Sequence, residues 1–442
     1  MSKASARHEG AEREGTERRR TAGTRAGRLI AALVLAASLA ACASPATVAP
    51  PPPPPQPQPV MPEPVAPPPP VAVDDGKVRV ALLVPLSGRG AAIGQSMLDA
   101  AQLAVFDVAD GQFLLLPRDT GGTPSGAEAA ARDAVTAGAR LILGPLFSAD
   151  AAAVRTVAAP AGVPVLSFSS DRTVAGGGVW VLGFQPQEQV ARVVGFAASR
   201  GITSFGLLAP ATPSGEVVQQ SLIDAARQAG GTVTRIERYG ADQQDLTEMV
   251  RRFAQHQAMP APATAEPGAA ATGLPFQAVM LADGGGQLRT LATLLPFFDV
   301  DPGPVRFLGI GQWEEPGLGR EASLVGGWFA APPPEARQAF ERRYEETYGQ
   351  KPQRLATLAY DATALAAALV RSGDREALRP EMLTDPQGFL GADGLFRLLP
   401  DGLTERGLAV LEVTRAGFAT VDPAPQTFPP RTDPAAGQVP VF

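Results

Sequence analysis

From residue 77 onward, short and almost purely apolar runs alternate with longer stretches whose apolar positions recur every three or four residues. The first run, Val78-Arg79-Val80-Ala81-Leu82-Leu83-Val84, suits a parallel strand covered on both faces, and Pro85-Leu86-Ser87-Gly88 ends it. Ile93, Met97, Ala100, Ala101, Ala104 and Val105 then fall on one face of a helix predicted over about 91–108. The alternation continues with strands at 113–116, 140–143 and 163–166 and helices at 126–138 and 149–159. A second series predicts helices at 187–200, 215–229, 243–256 and 286–295, with strands at 205–208, 232–238, 278–281 and 305–308. Helices follow at 335–348 and 354–371, the second with Leu355, Leu358, Ala359, Ala362, Leu365, Ala366 and Leu369 along one face. The end reads as two strands, 394–398 and 408–413, around an Asp401-Gly402 turn. Repeated βα units imply an α/β fold of doubly wound parallel sheets, and their number fits two lobes with a cleft between them.

The first 76 residues have another pattern. An Arg-rich segment leads into the apolar run 29–37, too short to span a bilayer, and then into Leu39-Ala40-Ala41-Cys42. This is the arrangement of a secretory signal, 1–41, ending in a bacterial lipobox. Cys42, the only cysteine, is the expected site of lipidation and of the mature N-terminus. More than one acyl chain is needed for stable anchoring. By resemblance to enteric lipoprotein sorting, Ala43 in place of an Asp favours the outer membrane, facing the periplasm, over retention at the inner one. Residues 42–76 form a proline-rich tether. Extended as polyproline II, it reaches on the order of 100 Å at about 3.1 Å per residue. Residues 258–275, rich in Ala, Pro and Gly, read as a surface insertion in the folded body.

Composition narrows the chemistry. The 442 residues are 45% hydrophobic and 19% charged, with formal net charge −6. Residues 1–41 carry eight Lys or Arg and four Asp or Glu, net +4, so the remainder stands at −10. An acidic body with no basic block is a poor nucleic-acid binder. One Cys and two His exclude a disulfide within the chain and leave no basis for a Cys- or His-rich metal site. Gly88-Arg89-Gly90-Ala91-Ala92-Ile93-Gly94 has one residue too many for a dinucleotide loop, and no Gly-x-Ser-x-Gly elbow occurs. His256 borders the insertion. No pair of carboxylates stands out as an acid and a base, so neither an enzyme nor a cofactor is expected.

The run 78–107, VRVALLVPLSGRGAAIGQSMLDAAQLAVFD, resembles the opening of type I periplasmic binding proteins of the leucine-binding kind. Supporting stretches are LILGPLFSADAAAV at 141–154, GVPVLSFSSD at 162–171 and FGLLAPATPSGEVVQQSLIDAARQAGGTV at 205–233. The block 326–369, with the lipobox, tether and insertion, resembles the LppC/YraM-like lipoproteins, the penicillin-binding protein activators, although nothing here encodes their N-terminal helical repeats. The resemblance covers about 77–415 and implies a Venus-flytrap body. Lobe 1 is expected from 77–185 with about 310–372, lobe 2 from 186–309 with about 373–420, and 421–442 as a tail.

Ligands of such sheets sit outside the carboxyl ends of strands. The candidate cleft residues are therefore Ser87, Ser148, Ser169, Ser170, Asp171, Asp283, Gln312 and Trp313. Each serine is also placed to be a plain helix cap, Trp313 is either a cleft wall or lobe packing, and Tyr360 and Asp361 are expected to pack or cap. The resemblance implies that Ser169 and Ser170 face a ligand carboxylate. It puts Gln312 where the family has an acid for the ligand ammonium, with Asp171 or Asp283 as substitutes, and Ile93, Ser214 and Gly285 where the family has aromatic walls. Two functions follow: a lipid-anchored regulator that contacts a penicillin-binding peptidoglycan synthase, or the receptor of an ABC importer of amino acids or related small solutes, which meets a permease.

Overall fold

The computed structural model describes residues 76–240, 243–254, 273–373 and 376–429. The signal, Cys42, nearly all of the tether, His256, most of the insertion and the end of the tail lie outside these residues.

The first lobe is built on a parallel sheet of β1 (Val78–Val84), β2 (Phe113–Asp119), β3 (Ala139–Leu143), β4 (Val165–Ser167) and β5 (Val179–Val181), in the order β2-β1-β3-β4-β5. Helices α1 (Ala91–Val108), α2 (Pro124–Thr136) and α3 (Ser148–Ala158) connect the first four. Alternation along β1 divides its side chains between two layers. Val80, Leu82 and Val84 pack with Met97 and Ala101 of α1, while Ala81 and Leu83 face Ala127, Ala131 and Ala134 of α2 and Val154 of α3.

The second lobe begins with α4 (Pro186–Ser199) and continues through β6 (Ser204–Pro210), α5 (Pro213–Gln228), β7 (Thr232–Tyr239), α6 (Gln243–Ala254), β8 (Ala278–Leu281), α7 (Gly285–Phe297), β9 (Arg306–Gly309) and β10 (Trp328–Ala331). The chain then forms α8 (Pro334–Tyr348), α9 (Ala356–Arg371) and a short α10 (Pro380–Leu383). The hairpin strands β11 (Phe389–Gly391) and β12 (Gly394–Leu398), with β13 (Thr404–Arg406), make a three-stranded sheet. Finally β14 (Ala409–Thr414) and β15 (Gly417–Asp422) complete the second lobe's sheet, in the order β15-β14-β10-β9-β8-β6-β7. Its core carries larger side chains than that of lobe 1, among them Phe253, Phe276, Phe307, Phe329 and Trp313.

The same tetrapeptide, Thr-Pro-Ser-Gly, opens a helix in each lobe. Thr123 and Thr212 are the N-caps of α2 and α5, accepting from the N–H of Gly126 and Gly215. The proline sits where its missing N–H is not needed. A Cβ at Gly126 would lie 2.1 Å from the Thr120 carbonyl oxygen, and at Gly215 2.0 Å from that of Pro210, so the helix can start this close to its strand only with glycine.

The lobe boundaries differ from the expected ones. Residues 310–331, expected in lobe 1, lie in lobe 2, because β10 pairs in parallel with β9 and antiparallel with β14. Residues 389–406, expected in lobe 2, belong to lobe 1. Helix α9 packs along α1, Phe396 and Leu398 enter the lobe 1 core, and Thr404 Oγ1 donates to the Val181 carbonyl at 2.7 Å. The Asp401-Gly402 turn joins β12 to β13, while the strand expected as its partner, 408–413, goes to the other sheet as β14. The chain thus crosses between lobes three times, after β5, after β10 and after β13.

Candidate functional site

In lobe 1, the loops at the carboxyl ends of the strands meet at Asp119. Its Oδ1 accepts from the N–H groups of Leu86 (2.8 Å), Ser87 (3.2 Å) and Gly121 (2.8 Å), and its Oδ2 from Ser87 Oγ (2.6 Å). Burial works against the charge, yet these donors together hold the carboxyl below its usual value. Gly88 makes the approach possible, with φ +65° and a Cβ position only 2.5 Å from the Gly121 carbonyl oxygen. Ser87 therefore closes a loop and is not the cap of α1, a place held by Gly90. Ser169 Oγ accepts from the Asp171 N–H at 3.0 Å, and the Ser169 N–H donates to Ser167 Oγ at 3.2 Å. Asp171 caps the turn Arg172–Val174 through the N–H and Oγ1 of Thr173. Ser148 and Ser170 differ. Ser148 is half-buried as the first residue of α3, whose cap is Phe147 without a side-chain bond, and Ser170 is exposed. Asp150, in the first turn of α3, is 2% exposed with Oδ2 unpaired among the described residues. Burial raises its pKa, and Arg89, stacked 4.6 Å over the Phe147 ring, opposes the rise.

In lobe 2 the corresponding groups turn inward. Asp283 Oδ2 accepts from the Tyr239 hydroxyl at 2.8 Å and Oδ1 from the Gly284 N–H at 2.8 Å. Burial and this carboxylate push the Tyr239 hydroxyl far above its ordinary pKa. Gln312 is exposed. Trp313 is fully buried, donates to the Leu281 carbonyl at 3.3 Å and lies 6.2 Å from the Phe329 ring. It is lobe packing and not a cleft wall. Gly309 and Gly327 make its space, since a Cβ at either would overlap the indole. Of the expected wall positions, Ile93 packs on the lobe 1 core, Ser214 is exposed in the Thr-Pro-Ser-Gly start, and Gly285 donates to Glu315. Tyr360 donates to Asp107 at 3.1 Å, and Asp361 accepts from the Ala392 N–H at 2.6 Å, so both are structural.

Next to these loops the lobes are joined by buried charge that sequence reasoning missed. Glu314, one residue past Trp313 in lobe 2, pairs with Arg337 at the start of α8 and, at 3.0 Å, with Arg354, both of lobe 1. Arg354 also reaches Asp393 at 3.1 Å. The Arg354 and Arg406 guanidinium groups lie 4.5 and 4.9 Å from the ring centre of Phe184, at the first crossing. Arg406, at the third crossing, donates to the Leu182 carbonyl at 2.6 Å. Burial, then the charge of Asp393, raises the Asp361 pKa. Burial pushes Glu188, in the first turn of α4, up to about 8 despite Arg406. No periodicity links positions scattered from 188 to 406. The only local sign was charge where the helical pattern predicts core, as at Arg337. Among the described residues no group of three or more His, Cys, Asp or Glu is arranged to hold a metal, and no helix is long and apolar enough to cross a membrane.

Residues 77–418 match the family described as periplasmic binding protein. The chain belongs to that family. A periplasmic or envelope location follows from it, and a family of binding proteins agrees with the expectation of a non-enzymatic body. No curated protein matches the chain. Among solved structures, a leucine-binding protein of Thermotoga maritima is 19% identical, with TM-score 0.55, over 78% of this chain and 98% of that one. A putative branched-chain amino acid ABC transporter protein of Rhodospirillum rubrum is also 19% identical, with TM-score 0.65, over 78% and 100%. An ABC transporter solute-binding protein of Rhodopseudomonas palustris, in complex with 3,4-dihydroxybenzoic acid, is 16% identical, with TM-score 0.58, over 82% and 100%. At these identities the likeness is one of fold. The narrower kinship with penicillin-binding protein activators finds no counterpart in these matches.

Proposed function

We propose that this periplasmic binding protein is the receptor of an ABC importer and takes a small organic carboxylate that lacks an adjacent ammonium group. The observation that carries this is the asymmetry of the candidate cleft. On lobe 1, the hydroxyls of Ser148 and Ser170 and the N-terminus of α3 remain available to a carboxylate. On lobe 2, Asp283 is taken by Tyr239 and Gly284, and Gln312 carries no charge, so an ammonium has no ready partner. A charge buried without a partner costs several kcal/mol. Two solved neighbours in complex with 3,4-dihydroxybenzoic acid and benzoate support the class, whereas others named for leucine or branched-chain amino acids support only the importer part of the reading. Calorimetry tests it: an aromatic or aliphatic carboxylate should bind with a micromolar Kd, and free leucine-type amino acids no tighter than about millimolar. A micromolar isotherm for an amino acid overturns the ligand class and keeps the importer.

One set of observations favours a second reading. Ser87, Ser169, Asp171 and Asp283 are all engaged within the protein, as in a body that acts by protein contact. With the anchor expected at Cys42 and the tether, that body is a regulator of a penicillin-binding synthase. Failure of every small carboxylate to bind, with recovery of a synthase on the immobilised protein, selects it. In either case Cys42→Ala should move the protein from the membrane fraction to the soluble one or leave it as uncleaved precursor.

A further inference from the structure

Two of the three crossings between the lobes are bonded into one band. At the first crossing, Val181 donates its N–H to the Gly402 carbonyl at 2.9 Å, and Gln185 Nε2 donates to the Thr404 carbonyl at 3.4 Å. Thr404 and Arg406 in turn donate to the Val181 and Leu182 carbonyls, so the first crossing moves only together with the third. Past both of them, Arg192 of α4 donates to the Leu408 carbonyl at 2.8 Å. The second crossing is Pro332-Pro333-Pro334. Each ring fixes φ, an angle that hinge residues change when domains swing. Pro333 also lies against lobe 1 at Gly394, where a Cβ would stand 2.9 Å from its ring.

Glu314 links the lobes apart from these crossings, and both of its mounts are stiff. On the lobe 2 side, Trp313 before it is fully buried, and Glu315 after it accepts from Arg289 at 3.0 Å. The Gly311 N–H holds the same turn to Gln189 of α4 at 2.8 Å. On the lobe 1 side, the Tyr344 hydroxyl pins α8, which carries Arg337, to Asp99 of α1 at 3.1 Å. Arg354 is held by Thr357 at 3.2 Å and Asp393 at 3.1 Å. The Glu314 side chain between them is 4% exposed. A rotation of one lobe against the other therefore has to part Glu314 from the two arginines, since neither mount can follow it.

We propose that Glu314 is a latch: paired with Arg337 and Arg354, it holds the lobes at one angle without any ligand, and they swing apart only when it lets go. The stiff crossings limit the direction of that motion, and the latch sets how often it occurs. An occupant of the cleft that enters only the released form binds with an affinity reduced by the released fraction. The latch is independent of whether that occupant is a solute or a protein, because none of its three residues is among the groups left to a ligand.

Double electron–electron resonance reads the angle. Full-length protein carrying Cys42→Ser, Ala129→Cys and Glu216→Cys takes spin labels at exposed positions of α2 in lobe 1 and α5 in lobe 2. With no ligand added it should show one narrow distance. Glu314→Ala in this background should add a second distance, held by roughly a tenth of the molecules or more. Phe253→Leu, which disturbs the lobe 2 core away from the latch, should keep the single distance. Two distances before Glu314 is changed, or a single one afterwards, overturn the proposal. So does a second distance in Phe253→Leu equal to that in Glu314→Ala, since loss of stability alone would then open the lobes. Where Glu314→Ala does not fold, Glu314→Gln keeps the shape without the charge: a second distance upholds the latch, and a single one overturns it.

Discussion

In lobe 1 the post-strand loops gather their bonds on Asp119 and leave Ser148 and Ser170 outside that network. In lobe 2 the equivalent loops fold inward, with Trp313 in the core, Asp283 held by Tyr239, and Glu315 held by Gly285 and Arg289. The exception in lobe 2 is Glu314, and it reaches lobe 1 rather than a ligand. The difference assigns separate tasks. If the receptor reading proposed above holds, lobe 1 is the side that offers donors to a ligand, while lobe 2 supplies a rigid opposing face together with the ionic contact that joins it to lobe 1. A loop built around a fully buried indole has little freedom to adapt to a ligand, since packed interiors transmit a local change as strain.

The strongest attack on this comparison is Trp313→Ala. If the indole is lobe packing, the variant should lose about 3–5 kcal/mol of stability in urea unfolding. Unchanged stability with lost ligand binding would make Trp313 a cleft wall after all. Glu314→Ala comes next. It leaves Arg337 and Arg354 without their shared partner, and removing one member of a buried pair costs about 3 kcal/mol. If lobe 2 holds lobe 1 through this residue, Arg337→Ala on top of Glu314→Ala should cost far less than Arg337→Ala alone. Additive losses would sink the ionic contact.

A smaller effect depends on pH. The Glu188 carboxyl is raised from 4.5 to about 8, so the folded state keeps a proton that the unfolded state releases. Its share of stability is complete below about pH 4.5 and should decline as pH rises towards 8. Glu188→Gln should flatten that decline when urea midpoints at pH 5 and pH 8 are compared; an unchanged slope refutes it. The smallest expected effect is the one that sharpens the lobe 1 side. Ser148→Ala and Ser170→Ala should each weaken carboxylate binding by roughly threefold to tenfold, since a hydrogen bond contributes about 0.5–1.5 kcal/mol. Stability should change by less than about 0.5 kcal/mol, as for surface substitutions. Ser87→Ala should do the reverse, lowering stability through Asp119 with little effect on affinity.

The sequence by itself determined the α/β class, the order of the main strands and helices, and the family. Continuous apolar runs such as 78–84 and one-sided helices such as 354–371 report burial, and burial is a local property of a strand or helix. The very short strands Val179–Val181 and Phe389–Gly391 were not legible, because three residues carry no period. Only the tertiary structure decided which sheet each late segment joins. Trp328–Ala331 and Ala409–Thr414 are apolar enough for either sheet, and pairing partners far along the chain made the choice. It also decided the candidate site. A serine or aspartate near a strand end reads alike whether it stays exposed, as Ser170 does, or closes a loop, as Ser87 and Asp171 do. Hydrogen-bond geometry separates these roles, and the Glu314, Arg354 and Asp393 chain exists only because folding brings together residues that have no relation in sequence.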